Sequence, residues 1–311
     1  MAGPHKISAN YIFTGNGRLL KNGIIVLDEN LEISEVIDTS GNLNESAGLE
    51  FYNGLIIPGW TPVFHGDTTQ DKPCPVKTVD QGMLVLSGCQ TLISLYEDDI
   101  NIINPPENPG LFRVIFHKTP IPFNHGKKEN TRTGKMPVKA SLYTGVTGNI
   151  LLISVTEDMK ENVFHRISEL STIYRAGIVY SGSPETLHRI AKTDILPRGY
   201  FLIPVESLCF ENKYSLLNKI HKHRICVCFR QESFPKTGKL TEGLMSILAK
   251  MPGLSFTDIL YWLTINPVRA FRIKTKTGMI FPGYKPGLTL IRPFDFAKMT
   301  ILPESRFYKI L

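Results

Sequence analysis

Gly54-Leu-Ile-Ile-Pro-Gly-Trp-Thr-Pro-Val-Phe-His-Gly-Asp67 is the stretch at which the character of the chain changes. The apolar run Phe51 to Ile57 reads as a strand, and it stops at Pro58-Gly59, a pair that punctuates strands. A new strand, Thr61–His65, starts at once. Alternate residues of a strand share a face. Either Phe64 with Gly66 or His65 with Asp67 therefore faces the interior, and that parity decides what chemistry this strand end can hold. The first pairing needs no irregularity. The second needs a one-residue slip, and Pro62 inside the strand disturbs the ladder where a bulge would have to form.

Upstream, residues 5–57 read as short strands and turns. Ile7, Ala9, Tyr11 and Phe13 alternate before the turn Thr14-Gly-Asn-Gly17, and Ile24 to Leu27 and Leu31 to Ile37 are further short runs. The tail returns to this style, with Gly and Pro turns around apolar runs from Gly278 to Leu290 and an apolar end at Phe307 to Leu311. The expected organisation is a composite β-sandwich from residues 1–57 and 278–311, with residues 58–277 inserted between as a barrel domain.

That middle part carries eight candidate strands: Thr61–His65, Thr91–Tyr96, Phe112–His117, Val138–Tyr143, Ile150–Val155, Gly177–Tyr180, Tyr200–Pro204 and Ile225–Phe229. Helical patterns follow the later ones, over Met159–Arg175, Pro184–Lys192, Lys213–His221 and Thr241–Lys250. Strand-helix alternation predicts an α/β fold of the (β/α)8 barrel type. The front half departs from the pattern. Only about six residues separate the fourth and fifth strands, where a parallel crossover needs about ten to twelve. Prolines at 105, 106 and 109 exclude a full helix after Tyr96, and Lys118 to Pro137 reads as an exposed loop. The barrel is predicted to be distorted or incomplete there, and to need a partner or second copy over its apolar strand surface. Further on, Ser255-Phe-Thr-Asp258 has the form of a capping box, and Asn266-Pro267 reads as a cap followed by Pro at the first helical position.

Composition is ordinary for a globular chain, 42% hydrophobic and 20% charged, with a net charge of +7 and a pI near 9.1. The basic residues are dispersed, with Lys127-Lys128 and Lys274-x-Lys276 the tight pairs, so no nucleic-acid motif emerges. No window approaches the roughly 18 apolar residues of a membrane span, and the first residues lack a secretory core, so the expected place is cytoplasmic. Five cysteines fit reduced thiols, and Cys226-Val-Cys228 reads as part of a buried strand.

Several pieces, in order, carry a resemblance. They are Ile7-Ser-Ala-Asn-Tyr-Ile-Phe-Thr-Gly15, Gly23 to Asp28, Gly54 to Gly59, Leu263-Thr-Ile-Asn-Pro-Val-Arg-Ala270 and Gly278-Met-Ile-Phe-Pro-Gly-Tyr-Lys-Pro-Gly-Leu-Thr-Leu-Ile291. Together they resemble the amidohydrolase superfamily, in its cytosine-deaminase and chlorohydrolase branch, over nearly the whole chain. The resemblance implies a metal at the barrel mouth, lowering the pKa of a bound water to near 7. It places ligands as His-x-His on strand one, His on strands five and six, and Asp on strand eight.

Those positions fall here on Phe64 and Gly66, on Ser154, on Tyr180 and on Glu232, while His65 would face the helices. Glu157 matches the family's proton-shuttling acid. One carboxylate in place of five ligands cannot hold zinc, which needs about three protein ligands. The implied protein is a catalytically degenerate amidohydrolase with no cofactor and no catalytic metal. Glu157 and Glu232 would be relics at a mouth that binds a small polar molecule, and the protein could form a homo-oligomer; neither nucleic acid nor membrane is an expected partner. The alternative keeps one divalent metal, Zn or Fe, on inward-turned His65 and Asp67 with His117 and Glu232. That set would make an active hydrolase of C–N bonds.

Overall fold

The computed structural model describes residues 5–43, 47–65, 89, 91–96, 112–119, 139–145, 147–156, 159, 161–193, 196–204, 224–230, 254–274 and 276–311. The chain opens with β1 (His5–Phe13), β2 (Leu19–Lys21), β3 (Ile24–Leu27), β4 (Ile33–Ile37) and β5 (Leu49–Pro58), and it ends with β14 (Leu288–Asp295) and β15 (Thr300–Lys309). These seven strands form one sheet in the order β15-β14-β5-β1-β3-β4, with β2 on β1. Both ends of the chain therefore meet in a single sheet, where two facing sheets had been expected.

The sheet has two buried faces, which explains the unbroken apolar run in β5. Ile56 packs with Ile7, Ala9, Ile12, Ile25 and Leu290 on one side. Leu55, Ile57, Phe13 and Ile291 join a different cluster on the other. Strands buried on both faces lose the alternation of half-exposed ones. The simple alternation Ile7, Ala9, Tyr11, Phe13 does not survive either. The register of β1 on β5 shifts between Ala9 and Tyr11, so Ile12 follows Ala9 on its face and Phe13 moves to the other. Asn10, at the shift, accepts the Gly54 N–H at 2.8 Å. Gly54 is itself required, since a Cβ there would lie 2.6 Å from the Ile291 carbonyl oxygen.

Between these ends lie β6 (Val63–His65), β7 (Thr91–Tyr96), β8 (Phe112–Thr119), β9 (Lys139–Gly145), β10 (Gly148–Ser154), β11 (Ala176–Ser181), β12 (Tyr200–Pro204) and β13 (Ile225–Arg230). Their pairing order follows the sequence and closes on itself. It is not a strict (β/α)8 repeat. Every neighbouring pair from β10 through β13 and on through β6 to β8 is parallel, but β9 is antiparallel to both β8 and β10. The short fourth-to-fifth connection has its cause here: β9 and β10 form a hairpin, paired from Gly145↔Gly148 to Lys139↔Ser154.

The described helices are α1 (Glu161–Ile173), α2 (Pro184–Ala191), α3 (Phe256–Leu263) and α4 (Ile265–Ala270). The helices expected over Lys213–His221 and Thr241–Lys250 lie outside the described residues. α3 has both bonds of its capping box, with Ser255 Oγ accepting from Asp258 N–H and the Asp258 carboxylate accepting from Ser255 N–H. α4 differs from expectation. Its N-cap position is Thr264, Pro267 sits in the first turn where N–H groups lack helical partners anyway, and Asn266 is buried inside the helix. The Asn266 amide donates to the Ile225 carbonyl at 2.7 Å and ties α4 to the start of β13.

Helix α3 lies between sheet and ring. Phe13 meets Tyr261 edge-on at 5.2 Å, Phe256 contacts Phe294, and Thr61 N–H donates to the Leu263 carbonyl. No helix among the described residues is long and apolar enough to cross a membrane.

Candidate functional site

Parity along each strand separates the inside of the ring from the helix layer. Val63, Ile93, Leu95, Tyr143, Ile150, Leu152, Val179, Leu202, Cys226 and Cys228 form one cluster contributed by seven strands. Their sequence neighbours Leu151, Ile153, Tyr180, Phe201, Ile203 and Val227 instead pack with Phe164 and Leu170 of α1 and Leu187 of α2. The first set fills the ring, and the second faces the helices. Fully burying side chains of this kind is worth about 1.5–3 kcal/mol each, so the parity is firmly held. A slip by one residue would exchange every member of the two sets.

The mouth is the end at which the seven parallel strands finish, where α/β barrels place their chemistry. On β10 the inward series Ile150, Leu152 continues to Ser154 at this rim. On β11 the inward series is Val179 then Ser181, and Ser154 pairs with Ser181 across the two strands. Tyr180 is thus corrected out of the strand-six ligand position. Its ring is fully buried in the helix layer, stacked on Phe201 at 5.7 Å, and its hydroxyl donates to the Pro197 carbonyl at 3.0 Å. Burial pushes the Tyr180 phenol above its ordinary value against the pull of Arg224. It is a packing residue with one satisfied hydrogen bond.

On strand one the ladder gives the backbone register. β6 pairs Val63 with Ile93 and Cys228, Phe64 with Ser94 and Phe229, and His65 with Leu95 and Arg230. Position 65 is therefore level with Leu95 of the inner cluster, and Phe64 alternates with it. No bulge interrupts these three bridges; Pro62 lies just outside the ladder, its carbonyl accepting from Ile93 N–H at 3.0 Å. His117 pairs with Tyr96, one position out of phase with Leu95, so the register does not align it with His65. Gly66, Asp67, Glu157 and Glu232 lie outside the described residues.

Residue-by-residue matching missed Ser181 and also Ser141, which pairs with inward Leu152 from the reversed strand β9. Counting by twos from Val179 would have found the former. Ser141 needed the reversal of β9 to be known first. Cys226 and Cys228 lie on the inner face, but both are buried and neither is in a disulfide, and burial raises the Cys226 thiol well above its ordinary range. A neutral thiol is a poor metal ligand. Among the described residues no group of three His, Cys, Asp or Glu side chains converges. These residues do not supply the donor set that a divalent metal needs.

The chain is similar to a Xaa-Pro dipeptidase crystallised with methionine in its active site, with a TM-score of 0.55 and 13% identity over 99% of this chain and 100% of that one. The two chains share a fold. A β-aspartyl dipeptidase from Fervidobacterium islandicum AW-1, in complex with β-Asp-Leu dipeptide, gives 0.50 and 15% over 97% and 94% of the two chains. A crystal structure of an amidohydrolase gives 0.51 and 10% over 94% and 92%. At such identity the likeness is one of architecture, and a shared fold carries no substrate across. No family model matches the sequence, and no curated protein matches it either.

Proposed function

We propose that this amidohydrolase-like chain is catalytically degenerate, works without a catalytic metal, and uses its mouth to bind a small polar ligand or a protein partner. The supporting observation is the pair Ser154 and Ser181, side by side at the rim on the fifth and sixth strands of the ring. Hydroxyls there donate and accept hydrogen bonds but do not hold Zn²⁺ or Fe²⁺ in place of imidazoles. Glu157 and Glu232 belong to this reading as relic carboxylates. A second copy of the chain is its natural protein partner.

The register of His65 supports a second reading, an active C–N hydrolase with one metal on His65, Asp67, His117 and Glu232. The misalignment of His117 speaks against that set. Metal analysis separates the two. Protein purified without chelator should contain far less than one equivalent of zinc, iron and manganese. One equivalent that survives dialysis and is lost in His65→Ala would refute the degenerate reading.

A further inference from the structure

The end of the ring opposite the mouth is closed by α4 and the segment after it. Ile265, Val268, Ala270, Phe271 and Ile273 all join the inner cluster. Arg272 donates to the Arg175 carbonyl, just ahead of β11, at 2.6 Å. The outer side of this plug carries a cleft of about 370 Å³, whose polar lining is Arg269, Arg272, Lys274, Lys276, Thr277 and Tyr284. None of the described lining residues is acidic.

Four cations around one cleft repel one another unless anions compensate them. Among the described residues the compensation is slight. Glu32 lies 3.7 Å from Lys276, with both side chains largely in water. Arg272 spends one N–H on a neutral carbonyl, which leaves its charge unmatched. Arg269 and Lys274 are exposed and have no carboxylate within ion-pair distance among the described residues. Such a site is incomplete as a structural device but complete as an anion receptor. Guanidinium forks match phosphate oxygens two at a time, and ammonium groups add point charge. The Tyr284 phenol adds a hydrogen-bond donor, and apolar Val268 and Met279 supply a surface for the body of a ligand.

We infer that this cleft at the base of the ring binds a small molecule bearing two or more phosphate groups. The site is separate from the mouth, and it stands whether or not the mouth holds a metal.

The test is titration calorimetry of the full chain with inorganic pyrophosphate and with ADP, at low and moderate salt. Both ligands should bind, more weakly at higher salt, and tighter binding of ADP would show that the apolar surface contributes. Arg269→Gln combined with Lys274→Gln, two side chains that hydrogen-bond to no described residue, should weaken pyrophosphate at least tenfold. Lys192→Gln combined with Lys298→Gln, exposed cations elsewhere, should leave it unchanged. Matching thermal midpoints establish that both variants fold. Absence of pyrophosphate binding at millimolar concentration would overturn the inference, as would equal weakening by the two double variants. A single-stranded oligonucleotide that binds far more tightly than pyrophosphate, and loses binding in the Arg269 and Lys274 variant, would assign the cleft to nucleic acid instead.

Discussion

A single position, Tyr180, shows how the site can be misread and how the reading can be tested. Matched against a histidine motif it seemed to face the mouth, yet its hydroxyl is spent on Pro197 and its ring on Phe201. Tyr180→Phe should therefore cost about 1 kcal/mol, the net worth of one hydrogen bond, without changing what the mouth binds; urea unfolding measures the first and ligand titration the second. The pH dependence has a definite sign. Burial raises the folded-state phenol above its ordinary value near 10, so the folded form holds its proton more tightly than the unfolded chain does. The stability from Tyr180 is complete below about pH 10 and is lost as pH rises beyond it. In Tyr180→Phe the alkaline loss of stability should be shallower. The candidate site was legible in the sequence as far as Ser154, because the apolar series Ile150, Leu152 fixes its parity. It was not legible at positions 64 and 65, where the strand is only three residues long and Pro62 conceals where its ladder begins.

At the scale of elements, apolar runs placed all eight ring strands to within a few residues, and the six-residue gap before Ile150 excluded a parallel crossover there without revealing the β9 hairpin. Local hydrogen-bond chemistry was legible where it closes within four residues, as in the Ser255 capping box. It was hidden where the partner is distant. Asn266 looked like a cap from its neighbours alone, but its amide reaches the carbonyl of Ile225, 41 positions away. The two cases predict different costs. Ser255→Ala removes an exposed cap and should cost about 1 kcal/mol. Asn266→Ala strands a buried carbonyl and should cost about 1–3 kcal/mol, while also loosening α4 from the base of the ring. Thermal unfolding compares them, and hydrogen exchange at the α4 amides should rise only in the second.

Across the whole molecule, the seven-stranded sheet and the ring share α3 as common packing, so the two parts should unfold in one transition by calorimetry. Two well-separated transitions would show that they are independent. The ring also has an uneven history of assembly built into its order. β8, β9 and β10 are joined as chain neighbours, whereas the bridge from β13 to β6 links Cys228 to Val63 across most of the chain. Contacts so far apart form late. Until that last bridge forms, β6 and β13 present unpaired backbone edges, and a chain stalled or cut before Ile225 leaves the edges of β6 and β12 open. Open edges of this kind recruit strands from other molecules, so such fragments are the species from which aggregates should grow.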